Sequence, residues 1–200
     1  MQPTLRRRGL ARDPFARLIE ANRVDQRVSE YETWEQLRGY CSLSADPVGE
    51  LVLAVFGITD PAQVALSGSV CTALQLIEHC QDVAEDLAAG RVYLPREDLE
   101  RFGCTREQLH GAHADPAVRA VIAFEIARAR SLLDAGAPLV GHLRGRARIA
   151  VAAFVAGGRA AAAAIEGAGY DVLAGPPRAS RMRLLAALAA TLRDNRGARR

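Results

Sequence analysis

Apolar positions recur at three- and four-residue intervals along most of this chain and almost never alternate, which is the pattern of helices. Their boundaries are marked by side chains that satisfy the free N–H groups of a first turn, or by residues that cannot continue a last one. Asp13 before Pro14 reads as an N-cap followed by a first-turn proline. Thr33 and Gln36 have the capping-box spacing ahead of a short helix toward Tyr40. A segment from about Pro47 to Phe56 stops at Gly57. A long helix then runs from Asp60 and Pro61, or from Ser67, to Ala89, where Gly90 ends it. Short helices over Pro95–Phe102 and from Thr105 precede a long one from Asp115 and Pro116 to about Ala135. Pro138 opens the next, which Gly157 and Gly158 are placed to bend, and Gly167–Pro177 is loop before Ser180 caps a last helix to about Leu192. Only Arg91–Leu94 is strand-like. The expectation is an all-α fold and a single domain over residues 1–200, with its core over about 13–192. The first dozen and last six residues, rich in Arg and Gly, are expected to fray.

The stretch from Val70 to Pro95 carries the most chemistry. On a helix, Val70, Ala73, Ile77, Cys80, Ala84 and Leu87 share one side, while Gln75, Glu78, Asp82 and Asp86 line up on the other, flanked by Glu85. Like charges one turn apart repel by a few tenths of a kcal/mol per pair, roughly as much as an i,i+4 ion pair contributes. No Arg lies between Val70 and Gly90 to relieve them. A row of hard oxygen donors suits Mg²⁺, which keeps several waters and bridges to substrate phosphates. The competing reading is a solvated acidic face. Arg91 and Tyr93 follow the helix end, and a guanidinium matches oxyanion pairs. Acidic row and Arg together make a diphosphate-binding arrangement.

Composition changes this picture little. All 26 basic residues are Arg, none Lys, and together with 38 Ala this reflects coding bias rather than function. Residues 1–125 carry a net −6 and residues 126–200 a net +9. The basic third holds only Phe154 and Tyr170 as aromatics, too few for a base-stacking surface, so nucleic acid is not expected as a partner. Arg144, Arg146 and Arg148 read as a solvated helix face, with peripheral contact to an acidic membrane surface left open. No apolar run approaches the ~18 residues of a membrane span, and the N-terminus lacks a secretory core, so the location expected is cytoplasmic. Cys41, Cys71, Cys80 and Cys104 form no C-x-x-C pair and read as free thiols. His110 and His113 read as a surface pair, and neither a P-loop nor a dinucleotide fingerprint is present.

LQLIEHCQDVAEDLAAGRVYLPREDLERFG resembles the second aspartate-rich signature of the squalene and phytoene synthases, close to L-Q-x-T-N-I-x-R-D-V-x-E-D-x-x-x-G-R-x-Y-L-P followed by D-L-x-x-F-G. The matching positions are Gln75, Asp82, Val83, Glu85, Asp86, Gly90, Arg91, Tyr93, Leu94 and Pro95. Upstream, Tyr40, Cys41, Ala45, Val48 and Gly49 match a Y-C-x-x-x-A-x-x-V-G segment. Tyr31, Thr33 and Leu37 match R-Y-x-T-x-x-x-L, with Asp25 a turn or more before it. The resemblance spans about residues 13–175. Ile77, Glu78 and Gln81 replace the usual Thr, Asn and Arg, and the E-H-x-Q-D form looks most like the bacterial hopanoid branch that makes hydroxysqualene.

The resemblance implies an isoprenoid-synthase-type helical bundle and Mg²⁺-dependent ionisation of presqualene diphosphate, a polyprenyl diphosphate, with capture of the cation by water. In that reading Asp82, Asp86 and Tyr93 are catalytic. Asp82 and Asp86 hold the metal, with Glu78 and Glu85 as further ligands. Gln75 and Arg91 contact diphosphate, and Tyr40 and Asp25 join the substrate site, with Tyr40 and Tyr93 lining the cavity. The family's first aspartate-rich helix belongs well upstream of Tyr40, where this chain has no room for it. The implied protein is therefore a partial, N-terminally truncated bundle with apolar surface exposed where the first helices belong. Two alternatives stand beside this one: head-to-head condensation to squalene or phytoene, and a catalytically silent helical protein.

Overall fold

The computed structural model describes residues 11–195, and the expected fraying of the extreme termini falls largely outside them. Its helices are α1 (Asp13–Val24), α2 (Trp34–Ser44), α3 (Asp46–Val55), α4 (Pro61–Gln81), α5 (Val83–Ala88), α6 (Arg96–Arg101), α7 (Pro116–Gly136), α8 (Leu139–His142), α9 (Gly145–Gly167) and α10 (Arg181–Asp194), with a 3₁₀ turn at Glu107–His110. The all-α expectation holds. The strand-like Arg91–Leu94 makes a single bridge, Val92 to Glu30, beside which the Val92 N–H donates to Ser29 O at 2.8 Å.

The caps act largely as the sequence indicates. Thr33 Oγ1 accepts from Gln36 N, Asp60 from Ala62 N, Asp115 from Val118 N and Ser180 from Arg183 N. Asp13 differs: it is the first helical residue rather than the cap, and it pairs with Arg17 at 2.7 Å. Gly57 and Gly90 adopt φ of 75° and 81°, left-handed turns that end α3 and α5.

α4 and α7 form the centre and pack most extensively on each other, with α3 and α9 laid against α4, and α10 against α9. Their closest approach is at Gly136, where a Cβ would fall 2.7 Å from Leu66 O and 2.6 Å from Val70 Cγ2. Leu76, Ile77, Ile122, Ile126 and Leu133 fill the interface.

Four expectations fail here. The helix expected to run on from Pro138 is interrupted between α8 and α9, where Leu143 (φ −97°, ψ 159°) and Arg144 (φ −131°, ψ 163°) are extended. Gly157 and Gly158 do not bend α9, which runs unbroken; Gly158 serves packing instead, leaving room for Leu74 and Leu133 against its backbone. α9 is also long and apolar enough to cross a membrane by length and composition, contrary to the expected absence of such a run, yet half of that stretch is buried in the bundle. Finally, the helix expected from Asp60 to Ala89 breaks at Asp82 (φ −101°, ψ 15°), so Ala84 is exposed rather than buried. Val48, Val55, Phe56, Ile149 and Phe154 are exposed apolar side chains on α3, its end and α9.

Candidate active site

The break at Asp82 shapes the carboxylate row. Gln75 and Glu78 lie on α4, Asp82 is the joint, and Glu85 and Asp86 lie on α5. The joint stays hydrogen-bonded, Asp82 N to Glu78 O at 2.9 Å and Asp86 N to Asp82 O at 2.8 Å, so α5 continues the row after a local change of direction. At its end Gly90 turns the chain back, and Arg91 N donates to Asp86 O at 2.8 Å. This fixes the backbone of Arg91 beside the last carboxylate.

Behind the row lies an aromatic cluster. The hydroxyl of Tyr40 donates to Asp25 Oδ2 at 3.0 Å and that of Tyr93 to Asp25 Oδ1 at 3.2 Å, so one carboxylate from the end of α1 holds both phenols. Arg91 Nη2 reaches the Asp25 carbonyl at 3.5 Å. Tyr31 packs against both rings, at centroid distances of 5.5 and 5.9 Å. His79 stacks on Tyr93 with ring centroids 3.8 Å apart and planes 10° from parallel. The structure thus brings Asp25, Tyr40, Tyr93 and Arg91 together from three separate stretches of sequence.

Two cavities border the carboxylate row. One of about 370 Å³ is walled by α2, α3, α4 and α9, with Val48, Val52, Leu74 and Phe154 among its apolar lining and Gln75 and Glu78 on its polar side. Gln75 Oε1 there accepts from Ser44 Oγ at 3.0 Å. The second is about 10 Å³ and lies among His79, Asp86, Arg91, Tyr93, Leu94 and Leu109. Asp82, Asp86, Tyr40 and Tyr93 were expected at the large cavity and do not line it. The phenols are held by Asp25 and by their own stacking, and Asp82 and Asp86 lie beyond the end of α4, whose residues up to Glu78 line the cavity.

Burial and mutual repulsion govern the electrostatics. Asp86 is pushed up to about 6, first by burial and then by Asp82, Glu78 and Glu85, with Arg91 opposing. Asp82 is raised by burial and by Glu85. Tyr93 and Tyr40 are raised by burial, with the Asp25 charge adding to it. Burial lowers His79 to about 3, so its imidazole is neutral.

Among the described residues no three His, Cys, Asp or Glu side chains converge tightly enough to enclose a metal unaided. The donor set nevertheless fits a hard divalent cation. It is a row of carboxylate oxygens whose repulsion Arg91 partly offsets, and a cation between them would draw its remaining ligands from water.

Sequence reasoning gave no role to His79, hidden among apolar neighbours, nor to Tyr31. It also missed a buried charge cluster on the far side of α4. There Arg128 Nη1 donates to Asp98 at 2.8 Å and to Glu125 at 2.6 Å, with its guanidinium 4.6 Å from the Trp34 ring. A lone Glu inside an apolar helix, with Arg three residues on, was the available signal. The four cysteines are free, as expected.

The squalene/phytoene synthase family model matches residues 1–184. The chain belongs to that family. It is similar to hydroxysqualene synthase of Sinorhizobium fredii (strain NBRC 101917 / NGR234), 34% identical over 145 residues, 72% of this chain and 49% of that one. It is similar also to 15-cis-phytoene synthase of Synechococcus elongatus, 34% identical over 145 residues, 66% of this chain and 46% of that one. The crystal structure of squalene synthase HpnC from Alicyclobacillus acidocaldarius superposes with a TM-score of 0.82 at 46% identity, covering 88% of this chain and 65% of that one. The chain spans about half the length of the curated relatives it matches.

Proposed function

We propose that this member of the squalene/phytoene synthase family acts as a hydroxysqualene synthase, ionising presqualene diphosphate and delivering the cation to water. The observation that carries the reading is the carboxylate row that begins at the polar side of an apolar cavity and ends at a backbone-anchored Arg91. Such a site has two halves, one for a charged head and one for a hydrocarbon tail.

In this reading the Arg91 guanidinium binds diphosphate oxygens, and Gln75, already oriented by Ser44, donates its amide N–H to the same group. Asp82 and Asp86, with Glu78 and Glu85, would hold Mg²⁺. When bound, that ion neutralises the charge gathering on the leaving diphosphate. Asp25 keeps Tyr40 and Tyr93 packed behind the row, so that the turn through Gly90 presents Arg91 in one position. Val48, Val52, Leu74 and Phe154 take the hydrocarbon and keep bulk water from the cation until capture.

Phytoene synthases among the relatives support a second reading, head-to-head condensation of two allylic diphosphates on the same ionising groups. One experiment separates these readings. The protein is incubated with Mg²⁺ and presqualene, farnesyl or geranylgeranyl diphosphate, and the lipid extract is analysed. Hydroxysqualene from presqualene diphosphate supports the proposal. A C30 hydrocarbon from farnesyl diphosphate or a C40 hydrocarbon from geranylgeranyl diphosphate supports the second reading, and unconsumed substrate in all three supports the silent helical protein.

A further inference from the structure

His79 has no part in the proposed reaction so far, yet its surroundings are built. It stands in the last turn of α4, 7% exposed, at the position where the family form L-Q-x-T-N-I-x-R-D carries Ile. The parallel stack on Tyr93 fixes its ring plane, and Tyr93 is itself held through its hydroxyl by Asp25. Both nitrogens must therefore find partners within that fixed plane. Nδ1 lies 3.9 Å from Asp86 Oδ2, too far for a direct hydrogen bond. Nε2 is buried without any partner. A neutral imidazole carries one N–H and one lone pair, and a buried ring leaves neither unsatisfied without penalty.

The cavity beside it answers the first of these needs, that of Nδ1. Its volume of about 10 Å³ is what one water occupies, and its walls supply the two or more polar partners such a water requires: His79, Asp86 and Arg91. A polar gap just beyond hydrogen-bond reach is the usual setting of a bridging water.

We propose that this cavity holds one ordered water, which accepts from His79 Nδ1–H and donates to the Asp86 carboxylate. Through that water His79 is a positioning residue for Asp86. The water occupies the side of the carboxylate that faces His79, so the lone pairs left free on Asp86 point along the row toward Asp82 and Glu85. The inference rests on the reading of the row as a diphosphate and Mg²⁺ site, and it adds the group that aims the row's most crowded member. Supporting groups of this kind typically change metal affinity by about 10–100-fold when removed.

The test has two arms on the full chain. A high-resolution crystal structure is expected to show one water within hydrogen-bond distance of both His79 Nδ1 and Asp86. Calorimetric titration of inorganic diphosphate in the presence of Mg²⁺ is expected to show binding about tenfold or more weaker in His79→Leu, with His79→Asn restored to within about threefold of the parent. A purely packing role for His79 predicts the reverse order, because Leu fills the site better than Asn. If His79→Leu does not fold, the parent structure and His79→Asn decide the matter. A dry cavity in the parent, or parent-like affinity in His79→Leu, overturns the proposal. Absence of diphosphate binding by the parent overturns the functional reading instead, while the water site still stands or falls on the density.

Discussion

Asp25 is the most consequential carboxylate outside the row, and removing it tests how the site is held. Two phenols, 6% and 8% exposed, donate to its two oxygens at 3.0 and 3.2 Å. In Asp25→Ala both hydroxyls lose an ionised acceptor, and each buried donor left unpaired costs about 1–3 kcal/mol. Asp25 itself is only half-buried, so water reaches part of the gap and the lower half of that range applies. The expected loss is about 2–4 kcal/mol, or roughly 5–15 °C in melting temperature for a chain of this size. Asp25→Asn keeps one acceptor and offers an N–H to the second phenol oxygen, so its cost is about 1 kcal/mol. In a Tyr40→Phe, Tyr93→Phe background the further loss from Asp25→Ala falls below about 1 kcal/mol, because the donors are gone. Thermal and denaturant melts of the set give these numbers. An alanine variant within about 0.5 kcal/mol of the parent, or an equal cost in the presence and absence of the phenols, refutes the clamp.

Two further outcomes are expected from the rest of the fold. Gly136→Ala places a Cβ 2.7 Å from Leu66 O and 3.0 Å from Val70 N, backbone atoms that cannot yield, so α4 and α7 must separate at a cost of about 2–3 kcal/mol in a denaturant melt. Glu125 is pushed up to about 8, chiefly by burial, with Asp98 adding to the rise and Arg128 opposing it. The folded state therefore holds this proton more tightly than the unfolded chain, and its contribution is full below the ordinary Glu range and lost as pH rises toward 8. Relative to Glu125→Gln, the parent should lose on the order of a few kcal/mol between pH 5 and 8. Parallel stability curves for the two proteins across that range contradict the assignment.

The helix boundaries were legible because they are local: Thr33, Asp60, Asp115 and Ser180 each bind a backbone N–H within three residues, and Gly57 and Gly90 turn where only glycine turns easily. The carboxylate row was legible for the same reason. What failed depended on partners distant in sequence. The break at Asp82 cannot be seen in a periodicity that continues through it, and Ala84 is exposed only because α5 departs from the α4 axis. Gly158 looked like a hinge and is instead a contact surface for Leu74 and Leu133. Tyr40 and Tyr93 matched motifs at separate places, but nothing local indicates that one carboxylate at position 25 holds both phenols. His79 sits next to Glu78 in sequence, but its stacking partner Tyr93 comes from beyond the Gly90 turn.

The central claim is that the carboxylate row and Arg91 together bind a diphosphate through Mg²⁺, and Asp82 is the residue that tests it most directly. It lies one turn from both Glu78 and Asp86, and Asp82→Asn keeps its shape while removing its charge. The measurement is calorimetric titration of inorganic diphosphate into the parent and Asp82→Asn, with and without Mg²⁺, alongside thermal melts. The account predicts that the parent binds diphosphate only with Mg²⁺ present. It predicts at least about tenfold weaker binding in the variant, and a melting temperature unchanged or slightly raised as like-charge repulsion is relieved. Equal affinity in the two proteins, or binding indifferent to Mg²⁺, would contradict it.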